Sequence, residues 1–277
     1  MELSEFISGE RIQEIADVTF FGVTNDNIPN QLKNTNTVIR DRFDFYLHPH
    51  ENIVYVYGHD LELFFRETFP DIDKPIKLIS HNTDYPVDGK FIQYLEDDKL
   101  LHWYAQNAVL DHPKLTPLPI GIANKQWPHG NVENFMQVMK LDNKKENIVY
   151  KNFDIGTNIG MRSRINQITN QNSIFMDRTY PHTEYLQRVA KSMFIISPPG
   201  NGIDCHRIWE ALYLGTVPIV EKSPAFRNFT DLPILFIDKW EDVTIDFCKA
   251  QIPFFYNNMF IKEKLKLSYW KNLIKTS

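Results

Sequence analysis

"SPPGNGIDCHRIWEALYLGTVPIV", residues 197–220, runs a glycine-bearing loop straight into a helical pattern, with an apolar run at each end. The preceding run, "MFII", and the closing run, "VPIV", have the length and β-branched content of buried parallel strands. Between them Ile203, Ile208, Ala211, Leu212 and Leu214 recur at the helical period of about 3.6 residues. Gly200 and Gly202 permit a tight strand-to-helix turn, and Gly215 stands where a left-handed residue closes a helix. The segment therefore reads as β-α-β, with a helix expected over residues 204–214. Unpaired N–H groups in the first turn of such a helix favour an anion such as a phosphate. An ordinary crossover with a glycine turn explains the glycines equally well. Glu210 lies three residues after Arg207 and four after His206, so each can share a helical face with it beside the anion position. Salt bridging between Arg207 and Glu210 accounts for that face too, so both readings stand.

A chain of 277 residues is long enough for two domains. A net charge of -5 argues against a general nucleic-acid binder, although a local basic pocket is compatible with it. Two cysteines, Cys205 and Cys248, make no disulfide framework, which points to a reducing compartment. The first residues lack a basic segment followed by an apolar core, and no apolar run has bilayer-spanning length. A cytoplasmic protein without a transmembrane segment is expected.

The pattern of the first half predicts strands at 18–23, 53–58, 76–80, 100–105 and 115–122, with helices at 61–69 and 89–98. The second half predicts strands at 147–153, 173–177, 193–197, 217–220 and 234–237. Its helices are expected near 161–170, 182–192, 204–214 and 240–251. Strands alternating with helices twice over imply an α/β fold of two Rossmann-like, doubly wound domains. The polar stretch at 140–147 is the expected linker, giving domains of 1–143 and 144–277. The tail from Phe254 reads as one or two amphipathic helices, either packing back on the first domain or simply terminal. Ligands of such sheets bind at the carboxyl ends of the strands.

Three loops fall at those ends. "SHNTDYP" presents His81, Asn82 and Asp84. Asp84 is a candidate general base, because an ionised carboxylate accepts a hydroxyl proton; an Asx-turn before Pro86 is the competing reading. "GIANKQWPHGN" offers Asn124, Trp127 and His129, with Trp127 either stacking on a sugar face or plugging an interface. "DIGTNIGMRSRI" brings Asn158, Arg162 and Arg164 near a helix start, where cations are disfavoured without an anion. Guanidinium forks suit phosphate oxygens; solvated arginines are the alternative. "HPH" at 48–50 lacks partners at zinc-ligand spacing, and "DID" at 71–73 reads as a turn. Neither a P-loop nor a dinucleotide fingerprint is present.

The segment 197–220 resembles the C-terminal motif of the exostosin-like glycosyltransferases, a Pro-Gly-rich loop leading into a helix that ends "EAL…G-x-[IV]-P-[IV]". "LISHNTD", "WYAQN" and "HPKLTPLPIGIANKQWPHG" extend the resemblance to short relatives found outside animals, from about Ile76 to Val220. It implies a GT-B-like fold with the donor in the second domain. It also implies inversion at the anomeric carbon with a nucleotide-sugar co-substrate, most simply a UDP-sugar, and no obligatory metal or cofactor. Gly200, Asn201, Gly202, Ile203 and Asp204 would then hold the diphosphate. Arg207 would lie near phosphate or sugar, and Glu210 would accept from the ribose hydroxyls. Animal exostosins carry a basic residue where Pro199 stands, so the phosphate charge would fall to Arg162 or Arg164. The expected reaction is transfer to a glycan or glycoside hydroxyl, with Asp84 the base and His81 in reserve. Asn82, Asn124, Trp127 and His129 would bind the acceptor. A retaining transferase, a silent sugar-nucleotide or glycan-binding module and a non-sugar nucleotide enzyme are the alternatives.

Overall fold

The structure, a computed structural model, describes residues 1–22 and 35–277. Among the described residues, two sheets form, and every strand pair in them is parallel. The first has the order β2-β1-β3-β4-β5-β6. Its strands are β1 (Val18–Phe21), β2 (Val38–Asp41), β3 (Ile53–Tyr57), β4 (Ile76–His81), β5 (Leu100–Gln106) and β6 (Leu115–Leu118). The second has the order β10-β9-β8-β7. It holds β7 (Asn147–Tyr150), β8 (Ser192–Ile196), β9 (Val217–Glu221) and β10 (Leu235–Ile237). Near-continuous apolar runs such as Ile76, Leu78 and Ile79 are buried on both faces, as parallel strands covered by helices require.

The principal helices are α1 (Gly9–Gln13), α2 (Val132–Met139), α3 (Ile159–Gln171), α4 (His182–Ala190), α5 (His206–Tyr213), α6 (Ile245–Asn257) and α7 (Leu267–Thr276). The opening segment folds as β8-loop-α5-β9, and Gly215 ends the helix with φ 69°. The largest core cluster takes Tyr55, Ile79 and Tyr104 from the first sheet and Ile195 and Val220 from the second. Ile208, Trp209 and Leu212 of α5 and Trp270 of α7 belong to the same cluster, so α5 is packed among groups from both sheets.

Three expectations are corrected. β2 was not anticipated, because its inward Arg40 is polar; the Glu51 carboxylate, 2.6 Å away, neutralises that buried guanidinium. Residues 173–177 form no strand: Phe175 is exposed, and only Asp177 N–H reaches the backbone next to β7, at Lys151 O. The expected helix at 61–69 is a short α-turn followed by a π-turn over Phe64–Thr68 and a 3-10 turn over Phe69–Asp71, and 89–98 is helical over Gly89–Phe91 and Ile92–Leu95. Val23, at the end of the first expected strand, lies outside the described residues. α7 packs back on the first sheet's side, where Lys77 Nζ donates to Ile274 O and Ser268 to Glu5.

Candidate active site

Tyr57, His81, Gln106 and Leu118 are the last residues of β3 to β6, and the register sets them side by side at one edge. A cavity of about 300 Å³ opens there, lined by Tyr57, Asn82, Asp84, Gln106, Trp127 and His206, among others. Asn82 leaves β4 with φ 58°, a left-handed conformation that Asn tolerates. Its amide donates to Tyr55 Oη (2.8 Å) and accepts from Asn124 Nδ2 (3.0 Å), while Asn124 Oδ1 accepts from Glu10 N–H. Thr83 O accepts from the side chains of Gln106 and Asn107, which fixes the turn. The competing Asx-turn does not form: Tyr85 N–H bonds Thr83 Oγ1 instead, leaving Asp84 exposed at the cavity. Trp127 is 52% exposed and walls the cavity, its ring near-parallel to His129. Tyr57 and His59 line it as well, their ring centroids 4.8 Å apart.

α5 closes the cavity from the second sheet. His206 Nδ1 lies 2.8 Å from Gly121 O; a carbonyl only accepts, so Nδ1 carries the proton and Nε2 keeps its lone pair. Burial lowers the His206 pKa, favouring this neutral form. Asp204 plays a different part from the expected phosphate contact. Its backbone N–H is taken by Asn107 Oδ1, and its buried carboxylate accepts from Ile120 N–H (2.7 Å) and Trp209 Nε1 (2.9 Å). Burial pushes that carboxyl up to about 7 against the pull of these hydrogen bonds. Asp204 thus fastens the start of α5 to the loop after β6, and the helix begins two residues later than expected.

The glycine loop is braced from behind. Arg162, 4% exposed, donates through Nε to Pro199 O, through Nη2 to Pro198 O, and through Nη1 to Asp154 O and Thr157 Oγ1. Burial, and then the neighbouring Arg207, lower its pKa to about 10. Asn158 Nδ2 donates to Gly200 O while its Oδ1 caps α3 at Met161 N–H. Arg207 donates to Asn152 O, and the two guanidiniums lie 5.5 and 5.8 Å from the Phe153 ring. Among the described residues neither arginine has a carboxylate within ion-pair distance. A Cβ on Gly200 would sit 3.1 Å from Arg162 Nη2, and one on Gly202 would sit 3.3 Å from Asp84 Oδ1. The loop therefore spans from a buried positive charge to an exposed carboxylate, with Asn201 exposed and Ile203 half-buried between them.

Other expected residues stand elsewhere. Arg164 pairs with Glu241 at the surface, 3.1 Å away, and has no contact with the loop. His81 is enclosed: Nε2 donates to Pro119 O, Nδ1 has no partner among the described residues, and burial lowers its pKa to about 4. An enclosed, neutral ring without solvent access is a poor base for an acceptor in the cavity. Glu210 is buried, accepting from Tyr185 Oη (3.0 Å) with His182 Nε2 3.6 Å away. Burial would raise its pKa, but His182, His206 and Arg207 together hold it below the ordinary value. His129 packs near His182 and His206, with ring centroids 6.2 and 6.4 Å away. Tyr57, His59, Gln106 and Asn107 were not anticipated as site residues, and His206, expected beside the anion position, lines the cavity of the first sheet instead. "WYAQN", running off the end of a predicted strand, was the available signal for Gln106 and Asn107. No three His, Cys, Asp or Glu side chains converge as cation ligands among the described residues, nor is any helix there long and apolar enough to cross a membrane.

A search of curated protein sequences found no match. Among solved structures, a glycosyltransferase from Rickettsia africae ESF-5 aligns over 96% of this chain and 94% of that one, at 12% identity and a TM-score of 0.44. The family model of the RXYLT1 C-terminal domain matches residues 132–271, which include the second sheet, the glycine loop, Arg162 and all of α5. The chain belongs to that family, and with it to the exostosin-like glycosyltransferases.

Proposed function

We propose that the protein is an inverting glycosyltransferase that moves a sugar from a UDP-sugar to a hydroxyl of a glycan or glycoside. The observation that carries this reading is a buried guanidinium, Arg162, and a half-buried one, Arg207, behind a glycine loop whose other end abuts Asp84. Burial weakens the charged form of Arg162, which has no carboxylate at ion-pair distance, and an arriving diphosphate would offset that cost. Charge on the departing diphosphate grows in the transition state, where preorganised donors of this kind act most strongly. The sugar would then lie over Gly202, toward Asp84, which takes the acceptor proton from the face opposite the diphosphate. In the proposed division, residues 1–143 bind the acceptor and 144–277 the donor, in a GT-B-like arrangement across the cavity. Trp127 would stack on the acceptor, Asn82 and Asn124 would frame it, and Glu210 would accept from the ribose once Tyr185 or His182 yields. On this reading no metal is required, and turnover should persist in EDTA.

The test combines a calorimetric panel of nucleotide sugars with turnover of Asp84→Asn. Expected are a UDP-sugar among the binders and a loss of roughly 10²–10⁴ in kcat with donor affinity kept, as for removal of a general base. Normal turnover in Asp84→Asn would remove that residue from the chemistry. Failure of every nucleotide to bind would favour a glycan-binding module.

A further inference from the structure

A second cavity, of about 240 Å³, lies behind the loop that carries Trp127. Ser8 and Glu10 line it, 2% and 8% exposed, and Ser8 Oγ and Glu10 Oε2 have no hydrogen-bond partner among the described residues. Buried polar atoms are nearly always satisfied, so two orphans on residues that line one cavity call for a polar partner. The other Glu10 oxygen, Oε1, already accepts from Lys125 N–H, which holds the carboxylate in place. Arg11, which also lines the cavity, spends Nη1 on Leu3 O and Phe6 O and forms no ion pair with Glu10 among the described residues.

The two cavities share a wall. Asn124 lines the first, and its Oδ1 accepts the N–H of Glu10, which lines the second. A third hollow of about 450 Å³ shares Trp127 with the first and Lys125, Gly130 and Val132 with the second. The three hollows thus adjoin one another in order, from Asp84, past the exposed indole of Trp127, to Ser8 and Glu10.

We infer that this run of hollows is an extended acceptor groove, and that the Ser8–Glu10 cavity is a subsite for a distal sugar of a neutral oligosaccharide. The inference rests on the transfer reading given above. A carboxylate oxygen accepts from sugar hydroxyls, and a serine hydroxyl both donates and accepts, so the lining matches a polyol. Glu10 and Glu14 line the cavity together with Arg11 and Lys125, so its formal charges balance and suit a neutral guest. The Trp127 face, between the two ends, suits the apolar side of an intervening ring.

The experiment uses the full chain on an array of immobilised neutral oligosaccharides. The best binder and its terminal monosaccharide are then titrated against wild type, Glu10→Gln and Ser8→Ala. Glu10→Gln keeps an oxygen for Lys125 N–H, and Ser8→Ala removes a single atom, so a folding failure in one leaves the other to decide. The expected result is at least tenfold tighter binding of the oligosaccharide by wild type. Most of that gain should vanish in Glu10→Gln and part of it in Ser8→Ala, with monosaccharide and UDP affinities unchanged. An oligosaccharide that binds no better than its monosaccharide, or a gain that survives both substitutions, would overturn the subsite and leave its oxygens to water alone. UDP titration separates the two ideas: retained UDP binding with no chain-length gain refutes only the groove, whereas absent UDP binding refutes the transfer reading.

Discussion

His81 and Asp84 stand three residues apart yet occupy opposite environments. The last residue of β4 is turned into the core and the turn residue is left in solvent. The sequence placed both at a strand end, but pleat direction depends on what covers each face, which no local pattern states. The consequence for His81 is measurable. Burial, chiefly, pulls its pKa from 6.5 to about 4, so the folded chain binds its proton less readily than the unfolded chain. Stability from this residue is complete above about pH 6.5 and declines as pH falls toward about 4, by about 3 kcal/mol in all. His81→Gln retains a donor for Pro119 O and cannot titrate. Urea unfolding between about pH 7 and pH 4 should therefore show wild type losing up to about 3 kcal/mol more than the variant. Parallel losses would mean that the ring is accessible to protons in the native state.

At the scale of elements, the β8-loop-α5-β9 unit was legible because every device in it is local: two apolar runs, glycines at the turn, an apolar stripe, a closing glycine. The choice between Arg162 and Arg164 was also written in the chain. Arg162, Ile165 and Thr169 follow at three and four residues, and all three are buried, whereas Arg164 falls between them and faces solvent. β2 and 173–177 were misread because an ion pair buried a polar strand and an apolar segment found no second partner. The Arg162 fork makes separate bonds to Pro198 and Pro199 carbonyls, so its geometry shapes the loop as much as its charge does. Arg162→Lys keeps the charge and loses the fork. It should weaken UDP binding at least about tenfold, or about 1.4 kcal/mol, by calorimetry; equal affinity would show that charge alone matters. A methyl at Gly202 would stand 3.0 Å from Asn107 Nδ2 and 3.3 Å from the Asp84 Cα and Oδ1. Gly202→Ala should lower kcat with an unchanged far-ultraviolet spectrum, and unaltered turnover would show that the loop gives way freely.

Across the whole molecule the two sheets share the largest apolar cluster, beside one cluster private to each, and a set of cross-links that no sequence window contains. Asp204 reaches Ile120, His206 reaches Gly121, and Arg227 donates to Ala108 O and Leu115 O. Tyr213, at the end of α5, accepts from Ile7 N–H (2.9 Å) and donates to Leu265 O (3.0 Å), tying the first residues to the segment before α7. Phe6 and Trp270 lie in the same apolar cluster as Tyr213, so loosening either sheet exposes surface belonging to the other. Coupling of this kind should make unfolding a single transition, although two sheets of parallel strands would permit two. Tyr213→Phe removes one hydroxyl and strands a buried N–H and a buried carbonyl, at a cost of about 2–4 kcal/mol. Because the bond joins residues 206 positions apart, the loss should be felt by both sheets at once. Chemical unfolding followed in parallel by tryptophan fluorescence and far-ultraviolet dichroism should give coincident curves for wild type and variant, with the variant's midpoint lower. Separate midpoints in which Tyr213→Phe moves only one would show that each sheet holds its own fold, and that the cavity between them is free to open as a hinge.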